Sequence, residues 1–474
     1  MGHTHRLFFF AVLAVTVGVT NGCSGGSSGI TPSSSSAPGS ANLTPTGPYA
    51  TDDWKTFAHD FQRTGYQPNT SITGTNAHEL TLKWETALGG QVYASPLVYA
   101  GNIIVVATNA EVYDLSPSTG AVMWKASLSA PSTQQVLATP TIDGSTLFVS
   151  DRQADASGNP APSYLYALSL ETGALLWRTQ LNGITHDSPL VVDGTVYIGT
   201  SGGDYCPING GVTALSESTG QILWTWKVNQ LYPTNGGGSV WGSIGYDGSH
   251  LVFGTGNTCQ SPVTTADGFV ALNTNGTVAW SYPATTNSAI DDDVGAAVSI
   301  YDGLATGMSK NGSLYHFNPA TGQVSWSVPL GAKDQQGGFA SPTTDGTTIV
   351  VGAGFFCNAT SCPTDVTEGW ERRLTERQPS NVVSGYNSRF VATDIYGDVM
   401  WTKTMTSTID NYAAMSAGLV YVGLDDVLNV LDTQTGKPLW AFTSPNRFEA
   451  GPVVVPSGLY AVDYSGNVYR FTIP

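Results

Sequence analysis

One phrase recurs along this 474-residue chain and constrains its fold more than any other feature. It is an apolar strand, a Thr-Gly or related turn, and a short strand carrying tryptophan. It appears as VYDLSPSTGAVMW ending at Trp124, LYALSLETGALLW at Trp177 and VTALSESTGQILW at Trp224. It returns as FVALNTNGTVAW at Trp280, LYHFNPATGQVSW at Trp326, FVATDIYGDVMW at Trp401 and LNVLDTQTGKPLW at Trp440. A second strand pair with its own turn precedes each phrase, as in SPLVVDGTVYIGT before Trp224. Each unit therefore reads as four strands, A to D, with Asp-Gly type turns between A and B and Thr-Gly turns between C and D.

Seven whole units run from about Gln91 to Thr443. Upstream lies a lone D-like strand, LTLKWETAL, with Trp84; downstream lie A, B and C strands ending in NVYRFTIP. One strand plus three makes an eighth blade. The expected fold is all-β, an eight-bladed propeller whose N-terminal strand closes the last blade against the C-terminal strands. Each repeat tryptophan is large and carries an N–H that needs a partner, which suits docking between neighbouring blades. These residues are assigned packing and no chemistry.

Composition agrees. Glycine is abundant (55), only 11% of residues are charged, and no long amphipathic 3.6-period stretch interrupts the short strands. The net charge of −17 argues against nucleic acid and against charge-driven docking on anionic lipid.

In an up-down-up-down blade, the A–B and C–D turns emerge on one face, and the B–C and D–A connections on the other. The long connections are almost all of the second kind: Asp151 to Ser163, Gly202 to Gly211, Asn229 to Gly238, Thr258 to Asp267 and Cys357 to Ser388. Loops concentrated on one face of a rigid scaffold mark it as the functional face. Cys206, Cys259, Cys357 and Cys362 fall there too. Four cysteines allow three pairings. A Cys206–Cys259 disulfide would join loops of adjacent blades, and a Cys357–Cys362 disulfide would pinch the base of the longest insertion. No C-x-x-C-H haem motif or zinc-type spacing occurs.

The first residues are set apart from the fold. Arg6 precedes an apolar stretch from Leu7 to Val19, too short to span a bilayer, which ends in Thr-Asn-Gly-Cys23. A Ser/Gly/Pro/Thr-rich run from Ser24 to Pro48 follows, with too little apolar surface to offset its ordering entropy. This start resembles a bacterial lipoprotein signal, with Thr20 where that family usually has Leu. The resemblance implies a signal over 1–22, lipidation at Cys23, a tether over 23–50 and the propeller over 51–474. It also implies export to the periplasm or cell envelope, with membrane contact only through the lipid anchor.

From Trp54 onward the repeats resemble the PQQ-type propeller family, and WKTFAHDFQRTGYQP is similar to the entry segment of quinoprotein members, including the polyvinyl alcohol dehydrogenase group. That family holds both calcium-dependent quinoprotein dehydrogenases and non-catalytic lipoprotein scaffolds of outer-membrane assembly. Fold does not choose between them.

Four stretches resemble the dehydrogenase pocket. In IGTSGGDYCPINGGVTAL, Asp204 stands where the family places a calcium-binding glutamate. In GGGSVWGSIGYDGSHLVFGTGN, Trp241 matches the tryptophan that floors the quinone and Asn257 an amide calcium ligand. AIDDDVGAA is similar to the segment with the catalytic aspartate, its alignment open across Asp291, Asp292 and Asp293; Asp291 is also a candidate metal ligand. In GMSKNGSLYHF, Lys310 matches a cation over the quinone carbonyl. The resemblance thus implies PQQ and calcium as cofactors and an alcohol as substrate, small or polymeric. It implies an external electron acceptor such as a separate cytochrome.

The chemistry is coherent. A flat indole offers stacking area to a planar quinone. A hard cation held by oxygen ligands acts as a Lewis acid, a carboxylate can take an alcohol proton, and a lysine can stabilise developing oxyanion charge. The strand count independently puts Asp204, Asn257 and Lys310 in B–C connections and Trp241 and the aspartates near D–A connections, all on one face. Two features depart from the family: Asp204 is one methylene shorter than glutamate, and the adjacent cysteine pair of many alcohol-oxidising members is absent. His186, in Thr-His-Asp-Ser-Pro, is placed to reach the pocket, whereas His316 takes a core position. Dehydrogenase and protein-binding scaffold are therefore the two function classes to separate.

Overall fold

The computed structural model describes residues 53–128, 135–154, 160–203, 207–230, 236–256, 258–259, 265–285, 293–331, 340–356, 386–405 and 412–474. Cys23 and the expected signal and tether, as well as Asp204, Cys206, Asn257, Asp291, Asp292, Cys357 and Cys362, lie outside them.

Eight sheets, each with an antiparallel A-B-C-D core, follow one another along the chain. Blade 1 consists of Leu97–Tyr99, Asn102–Val106, Glu111–Leu115 and Val122–Ser127. The eighth joins Thr81–Ala87 to Asn467–Thr472, Gly458–Val462 and Val453–Val455, with Trp84 opposite Arg470. The expected closure by both chain ends is what is found. No helix among the described residues is long and apolar enough to cross a membrane.

The repeat tryptophans link the blades into a ring. In every one of the eight, the indole N–H donates to a carbonyl of the next blade, from Trp84 to Pro117 through Trp401 to Thr433, at 2.7–3.1 Å. Trp440 of blade 7 donates to Leu80, at the start of the closing strand of blade 8 (3.0 Å). Every C–D pair carries a register shift at the residue preceding its tryptophan, a bulge that re-aims the indole toward its neighbour. Seven of the indoles then lie against the C–D turn of the next blade; Trp440 faces blade 8, which has no such turn because the two chain ends supply its C and D strands. At Gly220 the backbone is left-handed (φ +70°), and a Cβ would sit 2.4 Å from Trp177 Cε3, so glycine is needed there twice over.

Ahead of the closing strand, the entry segment runs around the hub as a belt. Trp54 pairs with Val98 of blade 1. The carbonyls of Lys55, Phe61, Gln62 and Thr64 accept from Ile142, Tyr246, Ile300 and Thr344, in the innermost strands of blades 2, 4, 5 and 6. Gly65 and Gln67 bracket Met415 of blade 7, and the Ser71 hydroxyl donates to Pro456 of blade 8. Blade 3 is met by a side chain: Arg63, fully buried, donates to the carbonyls of Ser188 and Pro189 (both 3.3 Å). Its guanidinium also donates to the Ile244 and Phe57 carbonyls and the Thr56 hydroxyl, at 2.9, 3.2 and 2.6 Å. In blades 1, 2, 4, 5, 6 and 7 the belt backbone meets the A strand past its first residue, toward the A–B turn, while in blade 3 Arg63 reaches the residues just before it. The mouth framed by the B–C and D–A connections lies at the other end of the hub.

Replacing Arg63 by methionine removes all five of these hydrogen bonds from the buried hub, and the Thr141 hydroxyl remains as a partner only for the Pro189 carbonyl and the Thr56 hydroxyl. Urea unfolding should show a loss of about 3 kcal/mol or more with an unchanged m-value. A loss under about 1 kcal/mol would mean the buried guanidinium does not hold the hub.

Candidate functional site at the mouth

The repeat register shows which side chains line the mouth. Four residues before the first residue of strand A in blades 1, 3 and 4 stand Tyr93, His186 and Trp241. Aligning the remaining D–A connections on the same phrase adds Leu137, Gly295 and Glu449 in blades 2, 5 and 8. Each of these six is partly exposed between two buried neighbours. The pattern is that of a position turned into an open funnel while the flanking residues pack between blades.

Trp241 belongs to this ring, and its surroundings are specific. Its indole faces the His186 ring edge-on, with centroids 6.0 Å apart and an interplanar angle of 89°. On the blade 5 side the indole passes Gly295, where a Cβ would come within 3.1 Å of its benzo carbons. A side chain there would push the indole aside by a few tenths of an ångström. Lys310 Nζ lies 4.7 Å from the centroid of the indole ring, a cation–π distance.

Lys310 is in turn bound to Asp293 at two points. Its backbone N–H donates to the Asp293 carbonyl (2.9 Å), and Nζ donates to Oδ2 (3.0 Å). Both side chains are nearly buried, at 5% and 7% relative exposure, so their opposite charges compensate each other where water cannot. The Lys-Asn-Gly turn between strands B (Leu304–Met308) and C (Ser313–Phe317) of blade 5 carries the lysine, and the D–A connection before strand A carries the aspartate. The strand count had placed both on this face.

The chain flanking the other expected ligands converges on the same spot. Strand B of blade 3, which ends at Gly203 immediately before Asp204, pairs Ser201 with Ser239 and Gly203 with Gly238. On the other side, the Gly256 N–H, one residue before Asn257, donates to the Ser239 carbonyl (2.9 Å), and Gly237 bridges to Thr258. A Cβ on Gly256 would lie 2.9 Å from the Asp293 carboxylate. The segment leading to Trp241 is thus clasped between the strands that lead to Asp204 and Asn257. Cys259 is disulfide-bonded. Among the described residues no group of three His, Cys, Asp or Glu could hold a metal ion.

His186 is shaped by burial and by Arg152, which together push its imidazole down to about 3 and keep it neutral near pH 7. Next to it, Asp187 is buried and accepts from the Gly199 N–H at 2.5 Å; burial pushes its carboxyl up to about 7. His316 stacks on Trp326 (4.9 Å, 16°) and shares a hydrogen bond with the Thr306 hydroxyl, a core role as expected.

Of the sequence candidates, the structure brings Trp241, Asp293, Lys310 and His186 together. Tyr93 and Glu449 were missed, although the repeat register held the signal: they occupy in blades 1 and 8 the position Trp241 occupies in blade 4.

The model of the PQQ_2 family, described as outer membrane protein assembly factor BamB, matches residues 66–149, 108–304, 261–395 and 381–473. BamB of Yersinia pestis is 25% identical over 172 residues, 34% of this chain and 40% of that protein. The polyvinylalcohol dehydrogenase of a Pseudomonas species is 24% identical over 217 residues, 41% of this chain and 33% of that protein. The chain thus spans less than half the length of either relative. Quinohemoprotein alcohol dehydrogenase from Comamonas testosteroni shares the fold with a TM-score of 0.72 at 18% identity, over 89% of this chain and 80% of that one. With repeat matches running from residue 66 to residue 473 and eight four-stranded blades closed by both chain ends, the chain belongs to the PQQ_2 repeat family.

Proposed function

We propose that this protein is a PQQ- and calcium-dependent dehydrogenase that oxidises an alcohol or similar hydroxyl substrate outside the cytoplasm and passes the electrons to an external acceptor. One observation carries the reading: a buried Lys310–Asp293 pair is set against the indole of Trp241 at the funnel mouth. A compensated buried pair beside a part-exposed tryptophan suits a small planar anion better than a broad protein surface. The likeness to BamB keeps the scaffold as the alternative.

The residues fit a planar, anionic quinone. Trp241 supplies a flat floor, Gly295 gives the indole its room, and Lys310 supplies positive charge at that floor. Asp204, Asn257 and Asp291 are the residues proposed to hold calcium. When bound, the quinone supplies a hydride acceptor polarised by the metal. Asp293 is assigned to take the substrate hydroxyl proton on its carboxylate, and Lys310 to stabilise negative charge at the indole floor. Neutral His186 adds no positive charge of its own beside the Trp241 indole. A lipid anchor at Cys23, export to the periplasm or envelope, and Cys206 as the partner of Cys259 belong to the same proposal, as does a Cys357–Cys362 disulfide.

The experiment is reconstitution with PQQ and calcium followed by dye-linked alcohol oxidation. Asp293→Asn should lower kcat by roughly 10²–10⁴-fold with the cofactor still bound. Absence of cofactor-dependent turnover, or full activity in Asp293→Asn, would defeat the dehydrogenase reading.

Gly295→Ala should weaken PQQ binding about tenfold, because the new methyl pushes the indole out of its plane, with little change in melting temperature. Unchanged affinity would remove Trp241 from the cofactor floor.

A pH test follows from His186. Its native pKa, about 3, lies below its unfolded value of about 6.5. The unfolded state therefore binds the proton first, and this contribution to stability is intact above about pH 6.5 and is lost as pH falls toward 3. Urea unfolding at pH 7.5 and 4.5 should show a smaller acid loss in His186→Gln than in the unsubstituted protein. Equal losses would show that His186 is not held neutral.

A further inference from the structure

The ring position that holds Trp241 in blade 4 holds Tyr93 in blade 1 and Glu449 in blade 8, half a ring away. These two do not stand alone. Tyr93 meets Tyr464 edge-to-face, with centroids 5.2 Å apart at 80°, and donates its hydroxyl hydrogen bond to that of Tyr464 (3.3 Å). The guanidinium of Arg447 lies 4.5 Å over the Tyr464 ring, and its Nε is ion-paired with Glu449. Tyr93, Tyr464 and Arg447 are partly exposed, and the Glu449 side chain is nearly buried beneath the Arg447 guanidinium it pairs with. Tyr93 and Arg447 lie in D–A connections, and Tyr464 lies in the B–C turn of blade 8, so the cluster opens on the same face as Trp241.

Tyr464 is held out by its turn. Asp463 accepts from the hydroxyls of Ser444, Ser465 and Tyr469 and from the side-chain and backbone N–H groups of Asn467, at 2.6–3.0 Å. Burial raises the Asp463 carboxyl, but the bonds from Ser444, Asn467 and Ser465 outweigh it and hold the carboxyl below its usual range. The backbone of Tyr464 is fixed on both sides, donating to the Arg447 carbonyl (2.8 Å) and accepting from Val92 (3.1 Å). Its ring is therefore presented at the mouth on a pre-set turn rather than packed under it. A mere seam clamp would be expected at other seams, but the equivalent positions in blades 2 and 5 are Leu137 and Gly295.

The chemistry of the cluster selects its ligand. Arg447 and Glu449 cancel, so neither an anion nor a cation is favoured. With Arg447 covering one face of Tyr464, the rest of the two part-exposed phenol rings offers flat area to C–H groups, and the guanidinium and the phenol hydroxyls offer polar groups at its rim. A flat, uncharged ring studded with hydroxyls matches this set. We propose that Tyr93, Tyr464, Arg447 and Glu449 form a second ligand site, across the mouth from Trp241, that takes a pyranose ring of a neutral carbohydrate chain. The site does not depend on the redox reading.

The test is calorimetric titration of the purified full chain, without added cofactor, with cellohexaose and with maltohexaose. At least one should bind, and Tyr93→Ala and Tyr464→Ala should each weaken it about tenfold or more. Met123→Ala, at an exposed position on the outer strand of blade 1, should bind as the unsubstituted protein does. Hydrogen exchange of the unsubstituted protein with the binding hexasaccharide should show protection at 446–449 and 463–466, a readout that survives any folding failure of the variants. If neither sugar binds, if protection falls only elsewhere, or if the alanine variants bind normally while melting lower, the cluster is a seam clamp and the proposal is overturned.

Discussion

Everything in this protein hangs on an indole N–H reaching the carbonyl of the next blade. A four-stranded sheet cannot bury both faces alone, and eight of them do so only by stacking in a ring. The bulge before each tryptophan turns the indole outward, a turn glycine of the neighbour gives it room at seven of the eight seams, and the hydrogen bond sets the contact. Because the eighth bond lands on the closing strand at Leu80, the same interaction that joins the blades also seals the ring. The entry belt, centred on Arg63, then fastens the innermost strands at one end of the hub and leaves the other end as the mouth.

That division explains how a repetitive scaffold carries a unique site. The tryptophans at the outer strands are equivalent and do the same work eight times. The positions that line the mouth are equivalent in backbone but free in side chain, since each faces open space rather than a neighbouring sheet. Blade 4 uses its position for Trp241 and blade 5 uses its own for Gly295, which makes space for that indole. Blades 8 and 1 place Glu449 and Tyr93 there. Specific chemistry therefore enters by substitution at one register position, backed by B–C turns such as the one that carries Lys310.

Much of this was legible in the chain itself. The phrase ending in tryptophan recurs with a period that local turn chemistry enforces, so blade number, closure and the docking role of the indoles followed from counting. The placement of Trp241, Asp293 and Lys310 on one face followed from strand alternation alone. What escaped the sequence was non-repetitive or long-range. Arg63 lies in a segment with no internal counterpart, and nothing local marks an arginine as buried among carbonyls of distant blades. Tyr93 and Glu449 escaped for a different reason. They sit in connections whose lengths vary, so their equivalence to Trp241 shows only when the innermost strands are aligned. Asp204 and Asn257 remain expectations, supported by the described backbone on either side of the Trp241 segment.

The central claim is that this arc of the mouth, floored by Trp241, is a cofactor site. A crystal structure of the protein grown with PQQ and calcium tests it most directly. The account predicts the tricyclic ring lying flat against the Trp241 indole, with Lys310 beside it and the metal next to Asp204 and Asn257. A mouth without the cofactor at saturating PQQ, or a cofactor bound away from Trp241, would contradict it.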